Sequence, residues 1–501
     1  MTSQTAPIFF RPPGGWVGDV IPYFWDGQFW LYYLHETRGG VSGAGTSWHL
    51  ARTSDFVHYD YVGEVLPHGL PHEQDLHAYT GSVLEVDGTH HLFYTGSNPA
   101  FRDEETGQVL QAVMHAVSTD LLNWTKLPDD TFYAPRDLYD PADWRDPFVY
   151  RTPDGEGFTM LLAARARSGP SRRRGCVARA VSSDLSEWKV VAPFSAPARF
   201  LTHECPDLFE MNGRWYLVYS EFSERFTVRY RVSEGPDGPW RAPADDSLDG
   251  RAYYAAKTAA DTEGRRYAFG WIPTRLGLRD DGAWEWAGDL AVHEVTARED
   301  GTLIVSLPET VRRHLTDGTP PAEEVPSAEQ TPQAGVAITG DWRLTGTSAA
   351  VTTGDGLATA RLAELPARCR VTATVRFAPG TRECGLILRG TEDCDEGYFV
   401  RLEPHLGRLV YDRWPRTATG PAQWQISGDV PHAVELERPA VLDPSVPHHL
   451  EVIIDDSAGI AYLDGTVAMS FRMYDRRTGC LGLFVGDGSA EFSEVRVFTA
   501  P

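Results

Sequence analysis

Motifs that would fix a functional class at a glance are missing from this 501-residue sequence. Cysteine is scarce. Cys176, Cys205, Cys369, Cys384, Cys394 and Cys480 form no C-x-x-C pair, which excludes the common zinc and dithiol signatures. They read as free thiols in a reducing compartment, with a Cys384–Cys394 disulfide left open for an exported chain. The 16 histidines show no H-E-x-x-H or similar spacing, so no metal site is expected from them, with a structural Ca²⁺ left open. No apolar run is long enough to span a bilayer. Met1 to Phe10 lacks a basic region followed by an apolar stretch and does not read as a secretory signal, so a cytoplasmic protein is expected. Bases are few beside acids: 46 Lys and Arg against 70 Asp and Glu, a net charge of −24. That field repels nucleic acid and anionic membranes and favours small neutral substrates, although acidity also serves solubility.

A repeat is what the sequence does have. A Gly-containing turn followed by an aromatic–aliphatic run occurs five times, at Asp26-Gly27, Asp87-Gly88, Asp154-Gly155, Asn212-Gly213 and Glu263-Gly264. A second element alternates with it. Ala51 to Asp55 leads to Tyr59, Ala116 to Asp120 to Trp124, and Ala180 to Asp184 to Trp188, with a looser copy from Arg231 to Trp240. Two strand-turn signatures in phase, at a period near 60 residues, point to propeller blades with long loops. Strand signals dominate to about Leu307. Pro-rich, polar sequence then runs from Thr310 to Gln333, with a short helix expected at Glu309–Leu315. Alternation returns from Trp342 onward, as in Arg370–Val375, Leu450–Ile454 and Cys480–Val485. The expected organisation is all-β: a five-bladed β-propeller over residues 1–308, a linker over 309–336 and a C-terminal β-sandwich over 337–501.

Just upstream of three of the turns lie Asp19, Asp146 and Glu204. Equivalent positions in a radial repeat face one axis, so the three carboxyls are expected to converge. Taken singly, a strand-end acid more often caps a turn or pairs with Arg; matching positions in three units favour a site. Glycosidic cleavage needs one carboxyl to protonate the leaving oxygen and another to attack or to activate water. Crowding in a desolvated pocket raises the pKa of the acid. Glu204, with its longer side chain and apolar neighbours, suits the proton donor. Asp146 is flanked by Arg145, which favours its ionised form. Asp19 follows Gly14-Gly15-Trp16-Val17-Gly18, where small residues allow close approach of a ligand.

The segments Trp16-Val17-Gly18-Asp19, Trp144-Arg145-Asp146-Pro147 and Glu204-Cys205-Pro206-Asp207 resemble the three acidic signatures of glycoside hydrolase family 32, the invertase, levanase, inulinase and fructosyltransferase group. Tyr79-Thr80-Gly81-Ser82 is similar to the family's Ser-Gly-Ser element, Gly270-Trp271 to its late Gly-Trp, and the sequence downstream of Asp455 to its terminal sandwich. The resemblance implies a five-bladed propeller with a sandwich, an oligosaccharide substrate and a retaining double displacement with no cofactor. It implies Asp19 as nucleophile, Glu204 as acid then base, and Asp146 with Arg145 on the sugar hydroxyls. It also tilts Trp16, Trp48, Tyr79, Thr80 and Trp271 towards the sugar pocket.

The departures lie in the first motif, Trp-x-Asn-Asp-Pro-Asn-Gly in the family. Here Gly18 replaces the Asn, Val20 the Pro, and Ile21-Pro22 the Asn-Gly. The family's Gln after the first aromatic strand gives way to Leu34-His35-Glu36, so His35 is a candidate hydroxyl ligand. Trp-Gly-His-Ala becomes Trp48-His49-Leu50-Ala51. These changes leave the catalytic acids intact and alter the terminal-sugar pocket. A fructosyltransferase, an inverting arabinan-type furanosidase on a similar propeller, and a non-catalytic sugar-binding propeller stay open beside the hydrolase. The Arg165, Arg167 and Arg172–Arg174 cluster reads as a solvated loop.

Overall fold

The computed structural model describes residues 7–38, 45–317, 335–415 and 435–499. Cα packing divides the chain into two units: Phe10–Pro273 with Glu285–Leu303, and Met1–Phe9 with Thr274–Trp284 and Ile304–Pro501.

The first unit is built of antiparallel hairpins. Its strands are β1 (Trp16–Trp25), β2 (Gln28–Glu36), β3 (Trp48–Thr53) and β4 (Asp60–Leu66), then β5 (His77–Val86), β6 (Thr89–Arg102), β7 (Val109–Ser118), β8 (Thr125–Lys126) and β9 (Phe132–Tyr133). There follow β10 (Tyr139–Arg151), β11 (Phe158–Ala166), β12 (Gly175–Ser182), β13 (Lys189–Val190), β14 (Glu204–Met211), β15 (Arg214–Glu221) and β16 (Thr227–Ser233). The last are β17 (Tyr254–Ala260), β18 (Arg266–Arg275) and β19 (Trp284–Ala297). Pairing runs in sequence order within each group, and Val17 pairs with Gly288 to join β1 to β19.

Both sequence repeats are turns. The first element joins each leading strand to its successor. At Asp26-Gly27, Asp87-Gly88 and Asn212-Gly213 both residues take positive φ, the geometry that suits the twist of a tight hairpin. The second ends the third strands of the first three groups. The hydroxyls of Thr53, Ser118 and Ser182 accept the amides of Phe56, Leu121 and Leu185. The carboxylates of Asp55, Asp120 and Asp184 accept the next amides, such as Val57 and His58 at 2.9 and 2.8 Å.

The leading strands pack in a closed ring: β1 on β5, β5 on β10, β10 on β14, β14 on β17, and β17 on β1. Apolar side chains fill the space between successive groups, for example Tyr32, Trp48 and Tyr94, then Trp144, Met160 and Leu162, then Phe200, Leu208 and Leu217. The aromatic cluster of Phe29, Phe56, Tyr267 and Phe269 completes the circuit.

In the second unit, one hydrogen-bonded system of strands encloses Val371, Leu386, Val400, Ile453 and Leu483, all fully buried. Helix α1 (Glu309–Asp317) lies where a helix is expected, and its Arg312 pairs with Glu451, which Arg370 also holds. The central part of the expected linker, residues 318–334, lies outside the described residues. All six cysteines are free and buried, and the Cys394 thiol lies against Cys480, not Cys384. Among the described residues no helix is long and apolar enough to cross a membrane.

Each leading strand breaks its ladder, β10 twice, with a first break between Tyr139 and Trp144. Pairing skips between Val17 and Val20, Tyr79 and Gly81, Arg145 and Phe148, Glu204 and Asp207, and Tyr254 and Lys257. These are bulges, which re-aim side chains and interrupt alternation. The β5 bulge requires glycine, because a Cβ on Gly81 would stand 1.9 Å from the Phe93 carbonyl oxygen. Gly81→Ala is therefore expected to cost about 1–3 kcal/mol, read as a lower denaturant midpoint; an unchanged midpoint would show that the bulge yields.

Candidate active site

The bulges bring Asp19, Thr80, Asp146, Glu204 and Tyr254 to one place at the centre of the ring. Asp19 is held from two neighbouring strands. Thr80 Oγ1 donates to its Oδ2 at 2.6 Å and Trp271 Nε1 to its Oδ1 at 3.2 Å. The Cys205 thiol lies 3.8 Å from Oδ2. Burial pushes the Asp19 carboxyl up to about 7; the Asp146 charge adds to this, while the Thr80 and Trp271 donors oppose it.

Asp146 sits at a left-handed position, φ 56°, and Cys205 at another, φ 50°. Non-glycine residues there store about 1–3 kcal/mol of strain, held in place by surrounding bonds. The Asp146 amide donates to Thr95 Oγ1 at 2.7 Å, and its Oδ2 accepts the Cys205 amide at 2.9 Å. Cys205 thus touches both aspartates, one through its thiol and one through its amide.

Both oxygens of Glu204 are engaged. Arg145 Nη2 donates to Oε1 at 3.1 Å, and the Tyr254 hydroxyl lies 2.7 Å from Oε2. A phenol donates to a carboxylate and accepts from a carboxylic acid, so Tyr254 can hold Glu204 in either proton state. Burial raises the Glu204 pKa; Arg145 opposes it and Asp146 adds to it. Arg145 is fixed in turn by Asp143 at 2.6 Å and Thr202 at 3.0 Å, and its Nε is 3.9 Å from Asp146. Among the described residues no group of three or more His, Cys, Asp or Glu side chains is placed to hold a metal ion.

This arrangement can hold a protonated Glu204 opposite an Asp19 fixed at both oxygens, with Asp146 Oδ1 left open to a ligand hydroxyl. The sequence profile of the glycosyl hydrolases family 32 N-terminal domain matches residues 9–306. The chain belongs to glycoside hydrolase family 32. A sucrose-6-phosphate hydrolase of Vibrio alginolyticus is 25% identical over 309 residues, 57% of this chain and 60% of that protein. A levanbiose-producing levanase of Bacillus subtilis is 24% identical over 376 residues, 67% of this chain and 66% of that protein. The matched stretch covers about three fifths of the sucrose-6-phosphate hydrolases' length. The fold matches that of a Lactobacillus gasseri sucrose-6-phosphate hydrolase with TM-score 0.71 and 17% identity, over 100% of this chain and 94% of that one. This family 32 chain is accordingly all-β, with a propeller and a sandwich.

Not every expected residue reaches the acids. Trp48 is corrected as a sugar platform: it is fully buried in the core beside Tyr32 and Tyr94, its indole N–H on the Tyr79 carbonyl at 3.0 Å. Tyr79 packs against that same core. Trp271 is also enclosed, so it serves Asp19 through its N–H and offers no face for stacking. Trp16 lies under the Arg11 and Arg38 guanidinium groups. His35 stacks on His49 at 4.2 Å, its Nδ1 buried without a partner among the described residues and its pKa lowered by burial.

Two side chains escaped the motifs. Tyr254 occupies in β17 the place the acids hold elsewhere. Lys257, one of three lysines in the chain, is buried beneath the acids. Its Nζ donates to the Gly81 carbonyl at 2.8 Å, and it faces Asp207, Cys205, Asp146 and Asp19. A lone lysine in Tyr-Tyr-Ala-Ala-Lys-Thr-Ala-Ala was its signal.

The folded chain holds the Asp19 proton up to about 7, whereas an ordinary aspartate loses it near 3.8. Ionisation between those values costs folding free energy, so stability declines as pH rises through that window. Asp19→Asn removes that cost. It is expected to melt no lower than wild type at pH 8, by calorimetry, despite losing hydrogen bonds; a clear drop in Tm would contradict the raised pKa.

Proposed function

We propose that this chain is a retaining glycoside hydrolase that releases terminal β-fructofuranosyl residues from small oligosaccharides. The observation that carries the proposal is the pairing of Asp19, gripped at both oxygens by donors, with a Glu204 whose pKa burial raises. Glu204 protonates the glycosidic oxygen as the Asp19 carboxylate attacks the anomeric carbon and the bond to the leaving sugar breaks. Glu204, now a carboxylate held by Tyr254 and Arg145, takes a proton from water, which attacks the fructosyl–Asp19 ester and releases Asp19. Two inversions give net retention, which needs the two carboxyls roughly 5–5.5 Å apart. Asp146 Oδ1 accepts a sugar hydroxyl and strengthens that bond as charge develops.

The named relatives are hydrolases of sucrose 6-phosphate and levan, which supports hydrolysis over fructosyl transfer, and family membership weighs against an arabinan-type enzyme. The closed circuit of β1, β5, β10, β14 and β17 supports five blades, with Phe10–Pro273 and Glu285–Leu303 as the catalytic unit in place of the expected 1–308. The unpaired thiols support a reducing compartment.

Proton NMR of the first-formed fructose is expected to give the anomer of the substrate, and Glu204→Gln to lower kcat at least about a hundredfold; the inverted anomer would refute the assigned roles. Because Asp19 must be ionised, kcat/KM is expected to fall below about pH 7. Thr80→Val removes a donor that lowers the Asp19 pKa, so this acid limb is expected to move to higher pH. An unmoved limb would detach it from Asp19.

A further inference from the structure

Neither Trp48 nor Trp271 offers a ring face to a ligand, yet a third indole does. Trp286 is 40% exposed. It stands two residues from the Val17–Gly288 pair, alongside Gly18 and the acid Asp19. Contact with Gly18 is intimate: a Cβ there would lie 2.3 Å from Trp286 Cη2, 2.7 Å from Cζ2 and 3.0 Å from the Leu34 carbonyl oxygen. A side chain at position 18 and the indole at its present place exclude one another.

The indole is also anchored. Ala287 is left-handed at φ 68°, which turns the strand there. Arg38 donates to the carbonyls of Trp286 and Ala287 and pairs with Glu285 at 3.2 Å. The Trp271 ring meets Trp286 edge-on at 6.2 Å. A part-exposed indole packed against the residue that precedes Asp19 suits the C–H face of a neutral sugar ring.

We infer that Trp286 is a sugar-stacking subsite beside Asp19, and that Gly18 is a glycine because that indole occupies the space its side chain would need. The inference rests on the proposed fructosidase reading. It adds a specificity determinant: the pocket holds neutral furanosides by apolar contact with the ring where the family's first motif presents an Asn side chain. The loss of Asn at position 18 is then a compensated replacement, one wall of the pocket exchanged for another.

Binding separates the inference from the activity. Sucrose and a short inulin-type oligosaccharide are titrated calorimetrically into Glu204→Gln, then into that variant carrying Trp286→Ala, Gly18→Ala or both. Trp286→Ala is expected to weaken binding of whichever sugar binds by about tenfold, the scale of losing one aromatic face. Gly18→Ala is expected to do the same by displacing the ring, and the double change to cost about tenfold again, not a hundredfold. Unchanged binding on Trp286→Ala, or effects that multiply, would overturn the subsite while hydrolysis by the wild-type chain left the activity standing. If neither sugar binds Glu204→Gln and the wild-type chain cleaves neither, both fall.

Discussion

Everything at the centre of this protein depends on one backbone irregularity made five times. A regular strand sends successive side chains to opposite faces, so it can deliver only alternate residues to the middle of a ring. A bulge breaks that alternation. It lets Glu204 and the backbone of Cys205 serve the same cluster, and it turns Asp146 inward at a conformation that a non-glycine residue otherwise avoids. The strain, and the repulsion between three carboxyls, persist because the ladders outside each bulge are regular and the apolar seams between groups are filled.

Placed together, the three acids become different by their partners. Asp19 has neutral donors, from Thr80, Trp271 and a thiol. Asp146 has two backbone-derived bonds. Glu204 alone has a guanidinium on one oxygen and a phenol on the other. The two cations at the cluster, Arg145 and Lys257, come from different strands, β10 and β17. In a chain of net charge −24, Arg145 opposes the burial that raises the Glu204 pKa.

Much of this was legible in the sequence because it is local. The hairpin turns and the hydroxyl–aspartate turns close within a few residues, so their signatures repeat in phase with the strands, and the acids could be placed by counting from them. Tyr254 was not legible, since its bulge is made by Ala255-Ala256 and carries no motif. The tryptophans were misjudged for a related reason. Whether an indole faces a core or a cleft depends on which strand lies beside it, and nothing near Trp48 or Trp286 in sequence distinguishes the buried ring from the exposed one. Gly18 looked like a lost ligand until the ring that fills its space could be seen.

The joining of β1 to β19 bears on how the molecule comes into being. Residue 17 cannot meet residue 288 until nearly all of the intervening chain exists, so the first strand made waits with an open edge for the last. Contacts of such separation make folding slow and leave the early hairpins exposed to wrong partners. Asp19 stands beside that late seam. On a ribosome, the local turns of each group can form as they emerge, but the cluster that joins the first strand to the third, fourth and fifth leading strands is among the last things the protein acquires.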